Sequence, residues 1–399
     1  MHKQIRQIGI GNISVNQTMR RYVNKTLETS RLTYGDFTRK FENKIARLHG
    51  RKHAIFCSSG TGALHVATQV LKDKYDWENG DEILVPSITF VATANVVLHN
   101  NLKPVFVDVE EDYFGIDPKE IEKHISKRTR AIMPAHLFGQ SCDMDPIVKI
   151  AKKNKLKIVE DSCETMFVQY HKKPVGSMGN ISCFSTYATH LITTGVGGFA
   201  MTNDTDLAVR IRSYIYHGRN ESYLSIDDDN TYNKQKLSKI IKKRFSFRYL
   251  GHNFRLTEME AALGFGQLST WRRIIRKRQK NAKFLTKKLS RWSKFLKTPK
   301  IREDSTHAFM LYPLVIIDKK IKRDELLRHL EINNIETRDL MPLINQPIYK
   351  KMFGNIEKKY PVAKCLNKNG FIIGCHQDLE RDDLNYIISV FDKFFRKFK

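Results

Sequence analysis

A chain of 399 residues with 41% hydrophobic and 28% charged residues is long enough for one large and one small domain, and it has the balance of a soluble globular protein. No apolar run approaches the roughly 20 residues needed to cross a bilayer, and the opening MHKQIRQIGIGN lacks the apolar stretch of a secretory signal, so a cytoplasmic protein without a membrane span is expected. The formal charge of +27 raises nucleic acid or an anionic surface as partners, whereas the six cysteines, scattered without a CxxC pair, predict free buried thiols and neither a disulfide framework nor a metal site.

From about residue 40 to residue 205, short β-branched runs alternate with longer helical stretches. HAIFC (53–57), EILVP (82–86), PVFVDV (104–109), AIMPAH (131–136), KIVED (157–161), ISCFS (181–185) and GFAMT (198–202) read as buried strands, and most are separated by enough chain for a crossover helix. The alternation predicts an α/β layered domain around a largely parallel sheet, in which ligands sit at the carboxyl ends of the strands. Lys172 and Lys173, in YHKKPVG, fall in an exposed turn. The polar segment from Arg219 to Lys243, with Asp227, Asp228 and Asp229, reads as a loop or insertion. A long helical stretch follows at about 256–295. In its densest basic part, Arg272 to Lys297, Ile, Phe, Leu and Trp recur at three- and four-residue spacings, so the charges belong to the solvated face of an amphipathic helix and no nucleic acid is expected as partner. From about residue 300, FMLYPLVII (309–317) and further helices indicate a smaller C-terminal α/β domain, with the large domain over 1–280 and the small one over 281–399.

Two features have chemistry of their own. Ser58-Ser59-Gly60-Thr61-Gly62-Ala63 follows a strand and opens a helix, where small residues let backbone N–H groups face an anion at the positive end of the helix dipole. Taken alone such a glycine-rich turn is a weak signal and is more often only a turn. Glu160-Asp161 ends the strand KIVED, and a carboxylate there can stay ionised against a cation or serve as a cap or structural pair.

Further along, Phe184-Ser185-Thr186-Tyr187-Ala188-Thr189-His190-Leu191-Ile192-Thr193-Thr194-Gly195-Val196-Gly197-Gly198 joins VPSITFVATAN (85–95), AHLFGQSCDMD (135–145) and LGHNFRLTEMEAALGFGQL (250–268) in one ordered set. With these blocks the chain resembles the DegT/DnrJ/EryC1/StrS sugar aminotransferases, from about Leu32 to Leu268 and weakly onward through RDLMPLINQPIY (338–349). The resemblance implies an aspartate aminotransferase-like fold (fold type I) with a mixed, mostly parallel seven-stranded sheet, and pyridoxal 5'-phosphate or pyridoxamine 5'-phosphate as cofactor. It implies that Ser59, Gly60, Thr61, Gly62 and Ser185 hold the cofactor phosphate, that Phe90 stacks on its ring, and that Asp161 faces the ring nitrogen. Asn253 matches a residue that reaches the phosphate from the neighbouring subunit, which implies a homodimer with shared active sites. Glu164 stands where the family's aminotransferases usually carry Gln or His.

His190 occupies the family's lysine position, five residues after Ser185 and ahead of the TTGxGG turn. Lysine forms the Schiff base to the cofactor and then moves a proton; imidazole can do the second and not the first. A branch of the family, the GDP-4-keto-6-deoxymannose 3-dehydratase type, has made the same replacement and binds the cofactor non-covalently. Relative to that branch, Val196 replaces the glutamate of the GEGG turn and Ala188-Thr189 replaces Pro-Ala. The iron–sulfur cluster of the related CDP-sugar enzyme is not expected, because no cysteine lies between Cys183 and Cys365. The expected function is deoxygenation of a nucleotide-linked keto-sugar in surface polysaccharide or deoxysugar biosynthesis. His190 would act as acid/base, Asp161 would support the cofactor electronically, and glutamate or a similar amino donor would take part. Transamination of a keto-sugar and a non-catalytic protein that kept the fold are the alternatives. His217, Arg219, Arg255 and Arg338 are candidate substrate contacts, since guanidinium forks suit phosphate and carboxylate, and each has a structural role as its alternative reading.

Overall fold

A computed structural model describes residues 7–225 and 227–398. Thirteen strands follow along the described chain: β1 (His53–Cys57), β2 (Glu82–Pro86), β3 (Lys103–Val107), β4 (Thr129–Ile132), β5 (Lys157–Asp161), β6 (Gln169–Tyr170), β7 (Lys173–Pro174), β8 (Ile181–Ser185), β9 (Gly198–Thr202), β10 (Leu296–Lys297), β11 (Tyr312–Ile316), β12 (Thr337–Asp339) and β13 (Gly370–Ile373). Seven of them form one sheet in the order β1-β9-β8-β5-β4-β2-β3. The pairs β2–β3, β2–β4, β4–β5 and β5–β8 are parallel, and β9 runs antiparallel to both β1 and β8. This is the seven-stranded, mostly parallel sheet that the residue pattern predicts. Its strands read as unbroken apolar runs because helices cover both faces.

The sequence places five of these strands to the residue and misses the ends of two. β3 stops at Val107, and β4 stops at Ile132, two residues before Pro134. Lys172 and Lys173 do lie in an exposed turn, that of the β6–β7 hairpin, where His171 and Lys172 adopt positive φ.

Two expectations need correction. The stretch at 256–295 is not one helix but two, Glu258–Gln267 and Trp271–Leu289. Around the break, Ser269 Oγ donates to Gly266 O at 3.3 Å and Thr270 Oγ1 to Gln267 O at 2.9 Å, hydroxyl bonds that compete with the backbone ladder. The segment 219–243 is not wholly irregular either. Asn233 caps a helix, Lys234–Lys243, by accepting from Lys236 N at 2.9 Å, and that helix buries Ile240. The cysteines carry no disulfide, and most are buried, but Cys365 is exposed.

A large core surrounds the seven-stranded sheet. A second core gathers Ala282, Leu285 and Leu289 with the antiparallel sheet β10-β11-β13-β12, the helix Arg381–Phe395, and Ile8 from the N-terminal segment. The helix Trp271–Leu289 joins the two bodies. Its basic face is solvated as expected, with the exception of Arg278, which is fully buried and donates to Phe309 O at 3.1 Å and Met310 O at 2.8 Å. Among the described residues no helix is long and apolar enough to cross a membrane.

Candidate active site

The site lies where β1, β5 and β8 end. Backbone alternation at the end of β5 sends Glu160 and Asp161 to opposite faces of the sheet. Glu160 is enclosed: its carboxylate accepts from Gly176 N (2.9 Å), Met178 N (2.8 Å), Gly179 N and Arg51 Nη2 (3.4 Å), with His136 Nε2 at 3.3 Å. Because His136 Nδ1 accepts from Cys142 N at 3.0 Å, its proton sits on Nε2 and is donated to Glu160. Burial alone would raise the Glu160 pKa, but His136, Arg51 and the Gly179 N–H together hold it below the usual carboxylate range. Every partner of Glu160 is structural. Asp161 faces the other way, where Oδ2 accepts from Thr93 Oγ1 at 2.7 Å and Oδ1 from Cys163 N at 3.3 Å.

Thr93 also ties Asp161 to Phe90, because Thr93 N donates to Phe90 O at 3.2 Å. The Phe90 ring is 58% exposed, an uncovered aromatic face above the strand ends. Two residues before it, Ile88 bridges to Pro342, in a C-terminal stretch whose Leu340, Leu343 and Ile344 pack into the large core.

The helix Gly60–Lys74 starts beside these residues. Ser59 caps it by accepting from Gly62 N at 2.9 Å. A Cβ on Gly60 would stand 2.8 Å from Cys163 Sγ and 2.9 Å from Ser185 Cβ, which brings Ser185 and the residue after Asp161-Ser162 against the first helical turn. A Cβ on Gly198 would overlap the backbone N of Gly60 and lie 2.5 Å from Ser59 C. The double glycine of the TTGVGG turn therefore permits β9 to pass against the helix start. Gly198→Ala is expected to cost about 1–3 kcal/mol as overpacking and to weaken phosphate binding, read by thermal unfolding and by titration with pyridoxal phosphate.

Glu164 lies nearby and accepts from Phe138 N at 2.5 Å. Burial pushes its pKa from 4.5 to about 7, against the pull of the Phe138 N–H and with help from the charge on Asp161. Between those two values the native carboxyl keeps a proton that the unfolded one has released, so stability falls as pH rises through this window. The expected loss approaches about 3 kcal/mol. Glu164→Gln should flatten that slope in cofactor-free protein, as followed by urea denaturation at pH 5 and pH 8.

His190 sits in the loop between β8 and β9. The loop is held by Thr186 N to Gly197 O (2.9 Å), Thr194 N to Thr186 O (2.8 Å), the Thr186–Thr194 hydroxyl pair (2.6 Å) and His190 N to Tyr187 O (2.9 Å). The imidazole is half-buried, and its Nδ1 is sealed from solvent with no hydrogen-bond partner among the described residues. Burial, reinforced by the charge of Arg278 and opposed by the Tyr187 backbone, lowers its pKa to about 4, so the ring is neutral at pH 7.

A second cluster carries three of the other expected residues. Arg255 donates from Nε to Asn253 Oδ1 at 2.8 Å, meets His217 Nε2 at 3.4 Å and lies over the Tyr216 ring at 4.3 Å. Ser58 N donates to Phe254 O at 2.7 Å, which attaches this cluster to the turn that opens the helix Gly60–Lys74. Asn253 and His217 are exposed. Arg219 is different. Its guanidinium is boxed by Tyr216, Tyr223, Phe245 and Phe247 at 4.4–5.5 Å and donates to Arg244 O, a structural arrangement that leaves it poorly placed to meet a ligand. Arg338, on β12, is exposed and engaged with Glu336 and Thr337 O. Sequence reasoning missed Thr93, Arg278 and Tyr34, whose buried hydroxyl faces Arg255 while its ring lies 5.5 Å from Tyr216. The one available signal was for Thr93, three residues after Phe90 on a helix.

These residues fit a phosphorylated aromatic cofactor. A glycine-lined cradle opens at a helix start, Asp161 is tied through Thr93 to the turn that carries the exposed Phe90 ring, and the loop that follows Ser185 carries His190, whose Nδ1 is enclosed without a partner among the described residues. Fold and site together define a pyridoxal phosphate-dependent enzyme of the aspartate aminotransferase-like fold. The chain belongs to the DegT/DnrJ/EryC1/StrS aminotransferase family, which it matches over residues 14–392. It is 32% identical to a GDP-perosamine synthase of Caulobacter vibrioides over 377 residues, covering 94% of each chain. It is 27% identical to the GDP-4-keto-6-deoxy-D-mannose 3-dehydratase of Escherichia coli O55:H7, covering 92% of this chain and 95% of that one. An aminotransferase structure from Psychrobacter cryohalolentis superposes with a TM-score of 0.85 at 29% identity, covering 96% of this chain and 98% of the other. The family's enzymes act on nucleotide sugars in polysaccharide biosynthesis.

Proposed function

We propose that the protein deoxygenates a nucleotide-linked 4-keto-sugar, in the manner of a 3-dehydratase, and that it works as a cytoplasmic homodimer. What supports this reading is the match of His190 to the family's lysine position in the ordered sequence blocks, together with a ring whose Nδ1 is enclosed without a hydrogen-bond partner among the described residues and whose pKa burial lowers to about 4. When bound, the cofactor supplies an electron-withdrawing ring that stabilises negative charge at the carbon next to its amine. The chain's own residues do the rest. The 59–62 turn and Ser185 would hold the phosphate, Phe90 would cover the ring, and Asp161, fixed by Thr93 and the Cys163 N–H, would pair with the ring nitrogen. His190 accepts a proton in its neutral state and returns it to the departing hydroxyl. With no lysine at this position, these contacts alone would hold the cofactor in its pyridoxamine form, and glutamate would serve as amino donor. Asn253 reaches the phosphate of the partner subunit, and His217 and Arg255 meet the nucleotide's phosphates.

Transamination of the same class of keto-sugar is the second reading, favoured by the higher identity to a perosamine synthase than to the dehydratase. Incubation with 4-keto nucleotide sugars and glutamate, read by mass spectrometry, separates the two. Loss of water from the sugar is the expected result, and gain of an amine would replace this proposal with the second.

A further inference from the structure

A groove of about 780 Å³ lies between the helices Gln17–Glu28 and Asp36–Leu48 on one side and the junction of Glu258–Gln267 with Trp271–Leu289 on the other. None of its lining residues belongs to the site described above. Lys40, Lys44, Arg47, Arg272, Arg273 and Arg276 line it, and no carboxylate does. Lys40 reaches Asp36 at 3.7 Å. Among the described residues the other five have no carboxylate within ion-pair distance, although Arg51, Arg212 and Arg302 elsewhere in the chain each meet one. Like charges gathered on one concave wall repel each other and concentrate positive potential there.

A second source of positive potential points the same way. The 19-residue helix Trp271–Leu289 begins in the groove, and its N-cap Thr270 makes no side-chain cap hydrogen bond, so although Arg273 N donates to Thr270 O at 2.9 Å, no cap side chain occupies the positive end of the dipole. Guanidinium forks on that same first turn and the next suit the paired, bidentate acceptors of phosphate. The volume is that of a small-molecule cleft rather than a track for an extended polymer.

We propose that this groove binds a small diphosphate-bearing anion, either inorganic pyrophosphate or the diphosphate of a nucleotide. The site is independent of the catalytic reading. It also has its own reporter: of the chain's three tryptophans, Trp271 lines the groove, while Trp77 and Trp292 are buried outside it.

The test is a fluorescence titration of the full-length, cofactor-loaded protein with inorganic pyrophosphate, and separately with GDP. A saturable change in tryptophan emission is expected, absent in Trp271→Phe and shifted to about tenfold or greater ligand concentration in Arg273→Ala/Arg276→Ala. Circular dichroism and cofactor absorbance should be the same in all three proteins, since Arg273 and Arg276 are exposed and Trp271→Phe keeps an aromatic ring against Phe167. A response to both ligands assigns the site to free pyrophosphate as well as nucleotide, and a response to GDP alone assigns it to the nucleotide. The proposal is overturned by no saturable response to either ligand, by a signal that survives Trp271→Phe, by equal affinity in the double variant, or by binding of a short oligonucleotide with no response to pyrophosphate or GDP.

Discussion

His190→Asn is expected to lower turnover of a 4-keto nucleotide sugar by about 10²–10⁴-fold, the usual contribution of a positioned acid/base, while the cofactor still binds. Nothing in the geometry makes the imidazole a major support of the fold. Its ring makes no hydrogen bond through Nδ1, and the loop around it is held by backbone bonds and by the Thr186–Thr194 pair. An amide in its place keeps polarity and approximate size but cannot take up a proton near neutral pH. The second half of the prediction concerns the tether. His190→Lys should yield a cofactor that borohydride fixes to the protein, detected as a mass increase on the peptide carrying residue 190, whereas the native chain should show none. If His190→Asn turns over within a few-fold of the native rate, the proton is moved by another group and the functional proposal fails.

Glu160→Ala is expected to be the most damaging change to stability, at about 3–5 kcal/mol, the cost of breaking a buried ionic arrangement from one side. The substitution leaves the Arg51 guanidinium enclosed with only the carbonyls of Gly176 and Gly179, and it leaves the N–H groups of Gly176, Met178 and Gly179 without an acceptor. Its neighbour should behave in the opposite way. Asp161→Asn keeps the packing and the Thr93 contact, so unfolding should change little. Affinity for the cofactor should drop about 10- to 100-fold, as expected for losing a charged hydrogen-bond partner. Urea denaturation and cofactor titration on the two variants check the pair. Equal effects on stability would mean that the face assignment of these adjacent carboxylates is wrong.

Those carboxylates also show where sequence reading stopped. KIVED announces a buried strand ending in two acids, and period-two alternation requires that they point to opposite faces. The resemblance singles out Asp161 for the cofactor, and the structural enclosure of Glu160 by Arg51, His136 and the 176–179 loop, all distant in sequence, is revealed only by their packing. The same division holds for Arg219 and Arg278. Both look like free cations in a basic chain. One is boxed by four aromatic rings, and the other is buried under Phe309 and Met310 with its charge felt by His190.

By itself the sequence determined most strands of the main sheet, the glycine-lined helix start and the family, because each of these depends on residues close together in the chain or on ordered local blocks. The break at 268–270 and the helix at 234–243 escaped it, since side-chain hydroxyls and one cap decided them against a continuing or absent periodicity. The tertiary structure alone decided which charges are paired, which acid is enclosed by structural partners, and that six cations line one groove with no carboxylate in its lining, because Coulomb energy and desolvation depend on distances that the order of residues does not contain.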